Sequence, residues 1–172
     1  EEVRVWGHKS SYIQKFIKKM KTSRLDMRAT PNLKDCVQGA DIVVTTTPSR
    51  KPIVQYEWLQ KGVHINAIGA DAKGKEELDP LIFKKAKVVI DDWEQASHSG
   101  EINVPLSKKF ITRKNIYAQL GEIVSGKKKG RFNDREITVF DRLGLAIQDV
   151  AVAHLIYLSA CQKKICRWVK FF

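Results

Sequence analysis

Three short stretches combine residue types suited to chemistry on a bound molecule. Gly69-Ala70-Asp71 puts a carboxylate two residues after a glycine, so a backbone that comes close to a ligand ring also presents an acid/base group to it. Thr45-Thr46-Thr47-Pro48-Ser49 offers a row of hydroxyls, and Gly7-His8-Lys9-Ser10 offers an imidazole and an ammonium beside a turn glycine. Each stretch follows a run that reads as a β-strand, and in open parallel sheets ligands bind beyond the carboxyl ends of the strands. A structural reading competes: Asp71 caps a turn, and the threonines satisfy local backbone groups. Pattern alone does not separate the two.

The strands and helices that must position these residues follow from hydrophobic spacing. Val3-Arg4-Val5-Trp6 alternates and then meets Gly7. Ser10 or Ser11 is expected to cap a helix whose Tyr12, Ile13, Phe16, Ile17 and Met20 share one face. Residues 25–29 form a possible strand, and Thr30-Pro31 is a good helix start, with Leu33 and Val37 turned inward and an end near Gly39. The β-branched run 41–47 predicts a central parallel strand buried on both faces and stopped by Pro48. Residues 63–68 and 87–91 predict two more strands, with a short helix over 56–60 and another opened by Asp79-Pro80. The strands around Val3, Val43, Ile65 and Val89 are therefore expected to lie parallel in one sheet of a doubly wound α/β fold. Beyond them, 116–124 reads as helical, 126–134 as a basic glycine-containing loop and 137–140 as a strand. The stretch 143–160 reads as a long amphipathic helix with Ile147, Val150, Ala151, His154, Leu155 and Leu158 on one stripe. The terminal 168–172, with Trp168, Phe171 and Phe172, is apolar enough to need covering.

Composition narrows the classes. The 172 residues suffice for one domain with a core, and 43% hydrophobic with 29% charged residues is a globular balance. The net charge of +12 raises nucleic acid as a partner, but the lysines fall in scattered short clusters without interleaved aromatics. A solvated basic surface is the expected explanation, with no specific nucleic-acid partner. No apolar run approaches the roughly 20 residues that span a bilayer, and the start Glu1-Glu2-Val3-Arg4 lacks the features of a signal peptide. The expectation is a cytoplasmic protein with no membrane partner. Cys36, Cys161 and Cys166 are an odd set with no metal-ligand spacing, so reduced thiols and no metal site are expected.

Several motifs resemble those of the ornithine cyclodeaminase/mu-crystallin family. They are 40–54 (ADIVVTTTPSRKPIV), 62–79 (GVHINAIGADAKGKEELD), 88–96 (VVIDDWEQA), 100–103 (GEIN), 120–126 (LGEIVSG) and 136–149 (EITVFDRLGLAIQD). Order and spacing hold from about residue 40 to 160, and the motifs around Ile65–Leu78 and Phe140 are similar to the archaeal alanine dehydrogenase branch. The resemblance implies an enzyme that moves hydride between NAD or NADP and a small amino or imino acid, working as a homodimer. Alanine dehydrogenase leads. Ornithine cyclodeaminase or ketimine reductase, and a non-catalytic NADPH-binding protein of the mu-crystallin kind, are the alternatives. Asp71 falls on the family's catalytic aspartate, and Thr45, Thr47, Ile68, Gly69 and Ala70 on positions lining the cofactor. Lys75 and Arg142-Leu143 fall where the family closes over the nicotinamide. Arg142 stands where a small Ser is common, which leaves the backbone as the contact that the pattern supports.

The implied fold is an α/β, Rossmann-like doubly wound parallel sheet over residues 1–143. It is expected to be incomplete, because no G-x-G-x-x-G occurs and the first strand and glycine-rich loop are missing. Residues 144–172 are expected to form a helix and tail belonging to a substrate and dimerisation domain. A chain of this extent is expected to bind dinucleotide weakly and to catalyse poorly by itself. Gly7, then His8 and Lys9, stand where an acid would hold the ribose 2′-OH of NAD; basic residues there accommodate a 2′-phosphate, so the sequence leans to NADP(H).

Overall fold

In the computed structural model, which describes residues 1–20, 25–165, 167 and 169, strands form where the β-branched runs lie. Strands β1 (Glu2–Val5), β2 (Asp26–Ala29), β3 (Ile42–Thr45), β4 (Arg50–Val54), β5 (His64–Ala67), β6 (Glu76–Leu78), β7 (Lys87–Ile90), β8 (Ile116–Gln119) and β9 (Thr138–Asp141) occur in chain order. Helices α1 (Ser10–Lys19), α2 (Leu33–Val37), α3 (Pro80–Lys85), α4 (Trp93–Ser99), α5 (Asn103–Ser107), α6 (Leu120–Val124) and α7 (Ala146–Gln162) connect or follow them.

The main sheet has five parallel strands in the order β3-β5-β9-β7-β8. Its register aligns Val43 with Ile65, Ile65 with Val139 and Val139 with Val88, so one face is a continuous apolar row. That row shares a buried cluster with Val37 of α2, Ile82 and Phe83 of α3, Ala96 of α4, and Ile102 and Ile111. Asp79 makes α3 start where it does: its side chain accepts from Leu81 N, and Pro80 sits in the first turn, where its missing N–H costs nothing.

Several expectations are corrected. The strand at Val3 is not in the sheet of Val43, Ile65 and Val89: β1 pairs with β2 in a separate parallel ladder, and among the described residues no backbone pairing joins it to β3. The run 41–47 is an edge strand rather than a central one, and Ile42 and Val44 on its second face are 63% and 56% exposed. Lys9, not a serine, occupies the cap of α1, and no side chain caps it. The helix expected from Thr30-Pro31 begins two residues later, because the Asn32 side chain accepts from Asp35 N. The first half of 116–124 is a strand, paired with β7, and only 120–124 is helical.

The long C-terminal helix forms, but it is not amphipathic. Off the expected stripe, Val152, Ile156 and Tyr157 are exposed along with Ile147, Val150 and Leu155, and none of its residues is buried. No described helix is long and apolar enough to cross a membrane. The terminal stretch 168–172 lies outside the described residues except for Val169, and so does Cys166.

Candidate functional site

Parallel pairing brings the carboxyl ends of β3, β5, β9 and β7 to one edge. The hydrogen bonds there run from strand to strand: Ile68 N donates to Thr45 O at 3.0 Å, Arg142 N to Ala67 O at 3.0 Å, and Asp91 N to Asp141 O at 3.3 Å. Thr45, Thr47, Ile68, Gly69, Ala70, Arg142 and Leu143 thus converge from segments far apart in the chain.

Gly69 is fixed by close packing. A Cβ at this position would lie 2.2 Å from Glu77 Oε2 and 2.4 Å from Thr47 O, so no other residue fits without displacing backbone. Glu77 grips both loops: its Oε1 accepts from Thr47 N at 2.6 Å and its Oε2 from Gly69 N at 3.1 Å. Ala70 is buried, and so is Thr45, whose hydroxyl has no hydrogen-bond partner among the described residues.

Asp71 projects from this edge with a side chain 67% exposed. Its carboxylate meets the Lys75 ammonium, whose side chain is only 19% exposed. The hydrogen bond from Lys75, and then its charge, hold the Asp71 carboxyl below the usual aspartate range. The loop between them is anchored from α5, where Asn103 Oδ1 accepts from Gly74 N at 2.9 Å and Asn103 Nδ2 donates to Lys75 O at 3.0 Å. Asp71 is therefore an ionised, accessible carboxylate on a pinned loop, which is the form a general base needs.

Leu143 and Gly144 are held by backbone contacts, both N–H groups donating to Asp91 Oδ2 at 3.1 Å. The Arg142 side chain is exposed, so the backbone is what the fold fixes there. Gly7, His8 and Lys9 follow β1, whose ladder with β2 is separate from the main sheet. The His8 ring packs edge-on against Trp6 at 5.0 Å, and the Lys9 ammonium lies 5.4 Å from the Tyr12 ring centroid.

Sequence reasoning missed the acids behind the edge. Glu101 Oε1 accepts from Glu77 N and Leu78 N, at 2.6 and 2.7 Å, and Asp141 accepts from Glu101 N and Ile102 N, at 3.0 and 3.2 Å. Burial pushes the Glu101 carboxyl up to about 8 and that of Asp141 to about 7, against the lowering effect of those backbone donors. The signal available in the sequence was an acid inside or next to an apolar strand, as at Glu77-Leu78 and Phe140-Asp141.

A model of the ornithine cyclodeaminase/mu-crystallin family matches residues 1–164. The alanine dehydrogenase of Archaeoglobus fulgidus is 58% identical over 132 residues, which are 77% of this chain and 41% of that protein. Among solved structures, an archaeal alanine dehydrogenase dimer with bound NAD superposes with a TM-score of 0.91 at 47% identity, covering 99% of this chain and 53% of that one. The Δ1-pyrroline-2-carboxylate reductase of Thermococcus litoralis, in complex with NADH and L-proline, gives a TM-score of 0.91 at 33% identity, covering 98% and 53%. The chain spans about half the length of these relatives, or somewhat less.

Proposed function

The chain belongs to the ornithine cyclodeaminase/mu-crystallin family, and from that premise we propose that it forms the nicotinamide side of the dinucleotide site in an NAD(P)-dependent oxidoreductase of amino and imino acids. The leading reaction is that of alanine dehydrogenase, reversible conversion of L-alanine to pyruvate and ammonia. Reduction of a cyclic imine, or ornithine cyclodeamination, is the alternative on the same scaffold. One observation carries the reading: Thr45–Thr47, Gly69–Asp71 and Leu143 converge on a single carboxyl edge, with the Thr47, Gly69 and Leu143 amides held by buried acids.

A planar ring suits this edge. The missing Cβ at Gly69 lets its loop and that of Thr47 close on the Glu77 carboxylate, and the buried Thr45 hydroxyl, without a partner among the described residues, still has hydrogen-bonding capacity to satisfy. Thr45, Thr47, Ile68, Gly69, Ala70 and Leu143 would hold the nicotinamide, and Lys75 and the Arg142 backbone would border it. Bound there, a nicotinamide would supply the hydride acceptor or donor. Asp71 handles the proton. Its carboxylate, kept ionised by Lys75, takes a proton from the water that adds to the imine carbon and returns one to the departing nitrogen.

Residues 1–143 make up the dinucleotide-binding part in this reading. Gly144, with φ +84°, turns the chain into α7, which leads to the substrate and dimerisation part of a homodimer. The related archaeal enzyme with NAD bound is itself a dimer, which supports this assembly. NAD and NADH occupy the two solved relatives, whereas His8 and Lys9 favour the extra phosphate of NADP(H).

The decisive test is Asp71→Asn in the intact protein. Turnover of the amino or imino acid should fall by roughly two to four orders of magnitude, the usual effect of losing a general acid/base, while dinucleotide affinity stays nearly unchanged. Undiminished turnover would return Asp71 to a purely structural place in its loop.

A further inference from the structure

Four buried carboxyl groups lie behind the edge, and each accepts hydrogen bonds from backbone amides. Glu77 takes Thr47 N and Gly69 N; Glu101 takes the amides of Glu77 and Leu78. Asp141 takes those of Glu101 and Ile102, and Asp91 those of Leu143 and Gly144. Among the described residues none of the four has a Lys, Arg or His nitrogen within ion-pairing distance. Burying carboxylates without counter-ions is costly, and apolar side chains of similar volume would hold a core together at less cost. What an apolar residue could not do is accept two N–H groups from loops that are distant in sequence. Glu77 joins Thr47, 30 positions away, to Gly69, 8 positions away, and both loops carry candidate cofactor positions.

We propose that Glu77 is a positioning residue of the dinucleotide site: its carboxylate clamps the Thr47 and Gly69 amides together and so sets the spacing of the two loops between which the ring must lie. Glu101, behind it, fixes where Glu77 stands by gripping the backbone of β6 at Glu77 and Leu78. The clamp works without touching the ligand. It faces the two amides, while Gly69 and Thr47 present their other sides to the site. The missing Cβ at Gly69 is the other half of the same device, since a side chain there would occupy the space the carboxylate needs.

This inference rests on the dinucleotide reading, and the experiment separates the two. In the intact protein, Glu77→Gln keeps the size but turns an –NH₂ toward one of the two amides, replacing a charge-assisted bond with an N–H···H–N contact. NADH and NADPH affinities are measured by fluorescence titration, together with hydrogen exchange at the Thr47 and Gly69 amides. Glu76→Gln, a buried acid on the same strand whose partner is Lys108, serves as the comparator for general damage to β6.

Glu77→Gln should weaken the better-bound dinucleotide by roughly tenfold or more, as expected for losing a hydrogen bond to a charged group, and should speed exchange at both amides. Glu76→Gln should leave affinity within about twofold, well below that loss. The substrate KM at saturating dinucleotide should move much less than the dinucleotide KM. Glu77→Asp, which keeps the charge on a shorter arm, should fall between wild type and Gln; if Glu77→Gln does not fold, Glu77→Asp carries the test alone. Wild-type affinity in the Glu77 variants, or equal losses in Glu76→Gln, would overturn the proposal. If the unsubstituted protein binds neither dinucleotide, the functional reading fails instead, and unaltered exchange at Thr47 and Gly69 would then show separately that the clamp is wrong.

Discussion

Replacing Glu101 with glutamine removes one titrating group from behind the site while keeping its shape. Glu101 is 0% exposed, Oε1 already accepts two amides, and Oε2 is buried without a partner among the described residues. Burial lifts its pKa from the ordinary 4.5 to about 8, and lifts that of Asp141 from 3.8 to about 7. In both cases the folded value lies above the unfolded one. Between the two values the folded protein keeps a proton that the unfolded chain has released, so stability declines as pH rises through that window. Each group contributes a slope of up to about 1.4 kcal/mol per pH unit. From pH 6 to 8 Glu101 alone should therefore cost on the order of 2 kcal/mol, with about 1 kcal/mol more from Asp141 below pH 7. For a chain of this size that is a fall in Tm of roughly 6 to 12 °C. Glu101→Gln presents an N–H where the protonated acid has its O–H, so it should resemble wild type near pH 6 and lose most of the decline above it. The assay is reversible thermal unfolding by circular dichroism at constant ionic strength. Wild-type and Glu101→Gln curves that run parallel from pH 6 to 8, or a Tm that rises over that range, would refute the assignment of a protonated Glu101.

The remaining predictions are more local. Gly69→Ala forces a Cβ to within 2.2 Å of Glu77 Oε2, so it should cost about 2 kcal/mol or more in stability and abolish dinucleotide binding, read by denaturant titration and fluorescence. Lys9→Glu should weaken NADPH far more than NADH in the intact protein; tighter binding of NADH than NADPH before any substitution would refute the reading of Gly7-His8-Lys9. The 172-residue chain should self-associate at micromolar concentration through α7, where Ile147, Val150, Leu155 and Ile156 are exposed, each forfeiting on the order of 1.5 kcal/mol of burial; a monomer in sedimentation that binds no hydrophobic dye would contradict this.

The parts of the fold that could be read from the sequence are those that local chemistry decides. The β-branched runs at Val43, Ile65 and Val88 form strands because alternating side chains there meet a continuous apolar layer, and Asp79-Pro80 starts a helix because its cap and first turn are complete within three residues. Where the deciding partner lies elsewhere in the chain, local spacing does not determine the element. Ile116-Tyr117-Ala118 fits a helix or a strand equally well over so short a run, and pairing with Val88 and Val89 decides for the strand. The stripe on α7 fits a helical period, yet Val152, Ile156 and Tyr157 make the opposite side apolar too, which a search for one face overlooks.

The candidate site divides along the same line. Asp71, Gly69 and Thr47 were legible because they sit in contiguous motifs after strands, and the structure brings them to one edge. The acids that hold them were not, because an acid in a sequence reads as surface unless something shows that it is buried. Glu101 lies 24 residues from the amide of Glu77 that it accepts, and Asp141 lies 40 residues from that of Glu101. No window short enough to show a hydrophobic period contains both ends of either bond. The residues proposed to meet a ligand and the residues proposed to space them are thus recorded differently in the chain. Both groups lie inside the short motifs of the sequence, but the meaning of the carboxylates depends on backbone amides folded against them from other elements. A protein keeping Gly69-Ala70-Asp71 but lacking the Glu77 carboxylate would retain its candidate acid/base group while its Thr47 and Gly69 loops lost their common anchor.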